Sequence, residues 1–113
     1  MTESMWALTY DREADPWEKT TGLEKREVER PRIDEASDHN DRAAVLIRPI
    51  MTGFCGSDRG IWFRSAFKDM IHGSLGREGK TTRTIGHELL GEIIDLGPDA
   101  RRTYGLEKGD IVS

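Results

Sequence analysis

The chain has one cysteine, Cys55, set in the stretch Gly53-Phe54-Cys55-Gly56-Ser57-Asp58, and a second polar cluster, Gly86-His87-Glu88, follows downstream. A thiol that is to ligate a metal needs a backbone tight enough to leave its sulfur uncovered, and the flanking glycines permit that approach. Thiolate and neutral imidazole are ordinary zinc ligands. One of each, at a glycine-marked turn beside an apolar run, makes up half of a catalytic zinc site. The plainer reading of Cys55 alone is a small buried hydrophobe. The matching second cluster keeps the metal reading open beside it.

The elements that would carry these turns are short. Met5–Tyr10 is apolar apart from Thr9 and predicts a buried strand. Asp11–Gly22, with Pro16 and Gly22, predicts a turn or long hairpin loop anchored by Trp17. Lys25–Glu29 predicts a short exposed strand stopped by Pro31, and the acidic run Asp34–Arg42 predicts a polar linker. Ala43–Met51 predicts a strand with an edge or bulge at Pro49, leading directly to Cys55. Spacings of three and four from Ser57 to Met70 predict a helical turn or two, capped by Ser57 or Asp58. His72–Thr84 predicts an exposed loop and Leu89–Leu96 an apolar strand with Glu92 and Asp95 on its wet side. Gly97-Pro98-Asp99 predicts a turn, and Leu106–Asp110 leads into a final strand at Ile111-Val112. Short strands separated by turns, with little helix, predict a mainly β, barrel-like domain.

Composition narrows the function classes. A chain of 113 residues is one domain's worth, and 34% charged against 35% hydrophobic residues leaves a modest core. A net charge of −4, with cations dispersed among carboxylates, gives no nucleic-acid footprint, and Arg101-Arg102 is too short to change that. A lone cysteine forms no internal disulfide, the first residues lack a signal-peptide pattern, and no apolar run approaches the ~20 residues of a membrane span. The expected compartment is the cytoplasm, with no membrane partner.

Three segments in order resemble the zinc-dependent medium-chain alcohol dehydrogenases, the medium-chain dehydrogenase/reductase family. They are Gly53-Phe54-Cys55-Gly56-Ser57-Asp58, Gly86-His87-Glu88 with its following strand to Gly97, and Lys108-Gly109-Asp110-Ile111-Val112. The resemblance implies a GroES-like, partly open β-barrel with short helical segments, incomplete at its C-terminus. Residues 1–113 would then be the N-terminal catalytic domain, without the nucleotide-binding Rossmann domain. It implies that Cys55 and His87 ligate zinc, that Ser57 relays the alcohol proton, and that Asp58 and Glu88 are carboxylates behind the ligands, with Ser57 and Glu88 as the catalytic pair. A carboxylate accepting the spare imidazole N–H would orient His87, and the sequence leaves open which one does so. The implied reaction is hydride transfer from an alcohol held on Zn2+ to NAD or NADP, with the nicotinamide bound mainly by another domain. The third protein ligand and any four-cysteine structural zinc lobe would lie after Ser113. The implied partners are a small-molecule alcohol or sugar substrate and further copies of the chain in a homo-oligomer. Cys55-Gly56-Ser57-Asp58-Arg59-Gly60 with the long polar loop after it is similar to the sugar dehydrogenase branch, glucose dehydrogenases among them; aryl, aliphatic and polyol substrates stay open.

Other features read more plainly. His39 and His72 lie in polar stretches and are expected to be solvated. Gly79-Lys80-Thr81 lacks the first glycine and leading strand of a phosphate-binding loop, so it is expected to be an exposed loop. Asp34–Asp41 lacks the glycine and final glutamate of a calcium loop. Trp62, Phe63 and Phe67 either line a substrate cleft or, the preferred reading, form the core face of a short helix. The alternatives to a dehydrogenase domain are a non-catalytic GroES-like fragment that acts as a binding or self-associating module, and a zinc-free quinone-reductase-like relative.

Overall fold

A computed structural model describes residues 3–113. The strands are β1 (Ser4–Asp11), β2 (Glu24–Glu29), β3 (Val45–Gly53), β4 (Thr82–Thr84), β5 (Glu88–Leu96) and β6 (Ile111–Val112). The helices are α1 (Gly56–Trp62), α2 (Lys68–Glu78) and α3 (Pro98–Tyr104), with a 3-10 helix at His39–Ala43. The fold is mainly β with short helices, as the strand and turn pattern predicts. The chain forms two units, Met1–Glu29 with Phe54–His87 and Arg30–Gly53 with Glu88–Ser113, each built on a three-stranded antiparallel sheet.

In the first unit the sheet order is β2-β1-β4. The long loop after β1 is tied by the Asp11 carboxylate, which accepts from the Glu13 and Ala14 N–H groups, both at 2.9 Å, and from the Thr81 and Thr82 hydroxyls at 3.0 and 2.5 Å. Those donors, the Thr82 hydroxyl foremost, hold the Asp11 carboxyl well below the usual carboxylate range. Trp17 anchors the loop as expected, joining Tyr10, Ile61, Ile71 and Leu75 in one buried cluster.

Residues 72–84 are not the exposed loop that their glycines and charges predict. Ile71 and Leu75, four apart, put one face of α2 into the core, and burying that face outweighs the low helix propensity of Gly73 and Gly76. Gly79 closes the helix with left-handed backbone, φ 65°, so Gly79-Lys80-Thr81 is a helix end leading to β4. His72, expected to be solvated, sits on the inner side of α2. Its Nε2 lies 2.6 Å from the Tyr10 hydroxyl, and its ring stacks on Tyr10 and meets the edge of Trp17. Burial pushes the Tyr10 phenol up, and the Arg64 guanidinium over its ring opposes the shift.

In the second unit the order is β3-β5-β6. The β3–β5 register shifts between Leu46 and Ile47 and again between Pro49 and Met51, the second at the proline, which has no N–H to give the ladder. The Asp34–Arg42 stretch is ordered structure rather than linker. Asp38 caps the 3-10 helix by accepting from the Asn40 N–H, the Asp41 carboxylate accepts from the Asp34 N–H at 2.7 Å, and Arg42 pairs with Asp99. His39 is exposed, as its polar surroundings predict. The predicted turn at Gly97-Pro98-Asp99 is the start of α3, where Pro98 occupies the first turn and loses no hydrogen bond.

Candidate metal centre

Cys55 is the N-cap of α1, in extended backbone at φ −111°, and its carbonyl accepts the first helical bond, from the Arg59 N–H at 3.0 Å. Neither Ser57 nor Asp58 is the cap. Asp58 lies one turn in and reaches back, its Oδ2 accepting from the Cys55 N–H at 3.2 Å. That bond fixes the turn that holds the sulfur. His87 arrives from the other direction, at the end of the segment after β4. Gly86 before it has φ +133°, a conformation that a side chain at that position would oppose.

These two approaches bring the side chains together. Cys55 Sγ lies 2.9 Å from His87 Nε2 and 2.9 Å from Ser57 Oγ, and Ser57 Oγ lies 3.3 Å from the same nitrogen. On the far side of the ring, His87 Nδ1 stands 3.3 Å from Asp58 Oδ1. Asp58 is only 2% exposed, and Oδ1 has no aligned hydrogen-bond donor among the described residues. A proton on Nδ1 is the nearest one that can serve that oxygen. Nε2 then presents its lone pair toward the sulfur. The ligand atoms of Cys55, Asp58 and His87 all lie within 4.8 Å of one another.

The donor set suits zinc: one soft thiol, one imidazole with a buried carboxylate 3.3 Å from its other nitrogen, and half-exposed surroundings that leave room for further ligands. Asp58, one of the two candidate carboxylates, is buried and stands 3.3 Å from the imidazole. Glu88 opens β5 in the second unit, exposed and opposite Gly53. Behind the ring, Asp58 and His87 line a cavity of about 180 Å³ whose apolar walls include Ile61, Met70, Ile71 and Ile85. The preferred reading of Trp62, Phe63 and Phe67 as core is corrected: all three are exposed, and Ile61 takes the buried position on α1. Arg64, which the sequence reading passed over, packs on Tyr10 and Trp17. Its left-handed backbone, φ 59°, carries no sequence signal.

A mainly β chain whose glycine-marked turns bring a thiol, a hydroxyl, an imidazole and a buried carboxylate together carries a donor set that could hold a metal ion. The alcohol dehydrogenase GroES-like domain family matches residues 41–113, and the chain belongs to that family. It is 32% identical over 96 residues to an L-threonine 3-dehydrogenase of Paraburkholderia phytofirmans, a match covering 85% of this chain and 23% of the relative. A Burkholderia vietnamiensis L-threonine 3-dehydrogenase is 33% identical over 96 residues, with the same coverages. Glucose 1-dehydrogenase 2 of Vulcanisaeta moutnovskia is 32% identical over 82 residues, covering 71% of this chain and 20% of that protein. The chain therefore spans less than a quarter of the length of these relatives. No solved structure matches it. Among the described residues, no helix is long and apolar enough to cross a membrane.

Proposed function

We propose that the chain is the zinc-ligating catalytic domain of an NAD(P)-dependent alcohol, polyol or sugar dehydrogenase, with Cys55 and His87 as metal ligands. The observation that carries this reading is the 2.9 Å approach of Cys55 Sγ to His87 Nε2 while Asp58 faces the opposite ring nitrogen. Bound there, zinc would supply a Lewis acid for the oxygen of an alcohol substrate. Asp58 holds the imidazole in the tautomer that keeps Nε2 free to ligate. Ser57, with its hydroxyl beside both ligand atoms, takes the alcohol proton and passes it outward; Glu88 is the other residue proposed for the catalytic set. The hydride acceptor is a nicotinamide held mainly by a domain outside residues 1–113.

Elemental mass spectrometry of the purified chain tests the ligand assignment. The reading predicts zinc approaching one per chain, falling to background in Cys55→Ala and in His87→Ala. Equal zinc in all three proteins would reject it. A second reading, a self-associating module, draws support from apolar side chains exposed on the second unit's sheet, among them Met51 at 67% and Ile111 at 57%. Sedimentation that depends on concentration and is unchanged by chelator would favour it.

A further inference from the structure

The first unit has a second concave feature that shares no residue with the thiol–imidazole cluster, a groove of about 580 Å³ between the Trp17–Thr21 loop and the segment from Phe63 to Lys68. Its charge runs against that of the chain. Lys19, Arg64 and Lys68 line it with a single carboxylate, Glu18, which is already paired with Lys68. The groove is locally cationic on a chain of net charge −4.

Arg64 is its centre. The guanidinium donates to the Ile61 and Trp62 carbonyls at 2.7 and 3.4 Å and to the Thr20 hydroxyl at 3.2 Å, all neutral acceptors. A guanidinium has five donors, and Arg64 Nε is buried without an acceptor. The head group is held in place over the Tyr10 and Trp17 rings, with no carboxylate hydrogen-bonded to it among the described residues. Arg64 at φ 59° and Phe67 at φ 73° are the two non-glycine residues with left-handed backbone among the described residues. Strain of this kind persists where the surroundings impose it, and ligand clamps are among the places it gathers. The neighbouring Phe63 leaves 55% of its surface exposed on the same wall.

We infer that this groove binds a phosphomonoester carried on a ring, such as a phosphorylated sugar or aromatic alcohol. A phosphomonoester has a charge of about −1.5 to −2 at neutral pH, which matches Arg64 and Lys19 once Lys68 is discounted for Glu18. Its oxygens can accept from the Lys19 ammonium and from the one Arg64 Nη2 proton not spent on Thr20, whose own hydroxyl donates to the Pro16 carbonyl at 2.9 Å. The groove is open to solvent and wider than a bare phosphate, and Phe63 offers a face for the ring. The site is independent of the zinc reading.

Amide NMR of the full chain titrated with phenyl phosphate, inorganic phosphate and phenol tests the inference. Phenyl phosphate is expected to shift the amides of Trp17–Thr21 and Phe63–Lys68 saturably, with inorganic phosphate and phenol each binding ~10-fold more weakly or less. Lys19 and Phe63 are exposed, so Lys19→Glu and Phe63→Ser should keep the parent spectrum while weakening phenyl phosphate by ~10-fold and a smaller factor respectively. No saturable shift, unchanged affinity in Lys19→Glu, or inorganic phosphate binding as tightly as phenyl phosphate would overturn it. None of these results bears on the zinc content, so the two readings fail separately.

Discussion

The two units are held by different means. In the first, large side chains form a closed cluster in which Tyr10 and Leu75 are fully buried. In the second, the buried apolar side chains are only Ile93 and Ala100, and the close packing is main chain. Gly97 lies where a Cβ would collide with the Asp41 and Arg42 carbonyls, and Gly91 where one would collide with Ile47. The contrast locates the chemistry. Asp58, the buried carboxylate behind His87, is on α1 with the core residue Ile61, so the candidate ligands rest on the unit whose core is made of side chains.

The contrast can be broken from either side. Leu75→Ala should destabilise the first unit by about 2–5 kcal/mol, because the cavity it leaves is closed on all sides. Gly97→Ala should cost the second unit at least about 1–3 kcal/mol through overpacking against backbone that cannot yield. Urea unfolding followed by amide resonances of each unit separates the two, and a loss spread evenly over both units for either variant would erase the distinction. Next in size, Asp58→Asn should lower zinc affinity by ~10- to 100-fold with both ligand side chains intact, read by competition with a chromophoric chelator.

A pH series sharpens the account of the first unit. The Asp11 carboxyl is depressed in the folded state, so its contribution is fully present above the unfolded value of about 4 and is lost as pH falls through the lower folded value. Asp11→Asn should therefore be less stable than the parent near neutral pH, with the gap narrowing below about pH 4. A gap that stays constant with pH would mean the loop is held otherwise. The smallest effect belongs to the exposed Arg48–Glu92 pair on the second unit's sheet: Glu92→Gln should change stability by no more than about 1 kcal/mol in thermal unfolding.

The strands and the two glycine-marked turns that carry the candidate ligands were legible because each rests on a local signal. Alternating or continuous apolar runs mark β1, β3 and β5, and glycines mark the backbone on either side of Cys55 and before His87. Helix α2 was hidden beyond Met70 because two residues, Ile71 and Leu75, carry its burial while Gly73, Gly76 and Arg77 read as loop. His72 was misplaced with it, since its partners Tyr10 and Trp17 are remote in sequence. Helix α3 was read as a turn because Gly97-Pro98-Asp99 is a turn signal and a helix start at once. The place of Asp58 beside the imidazole needed three dimensions: only its burial and the 3.3 Å approach to Nδ1 show it.

The central claim is that Cys55 and His87 converge to ligate one metal ion, and a cobalt(II) titration of the chain reads the sulfur directly. The account predicts a near-ultraviolet thiolate-to-cobalt charge-transfer band that saturates at one equivalent, is lost in Cys55→Ser, is strongly weakened in His87→Ala, and is displaced by zinc. A band of undiminished strength and affinity in His87→Ala, or none in the parent, would contradict it.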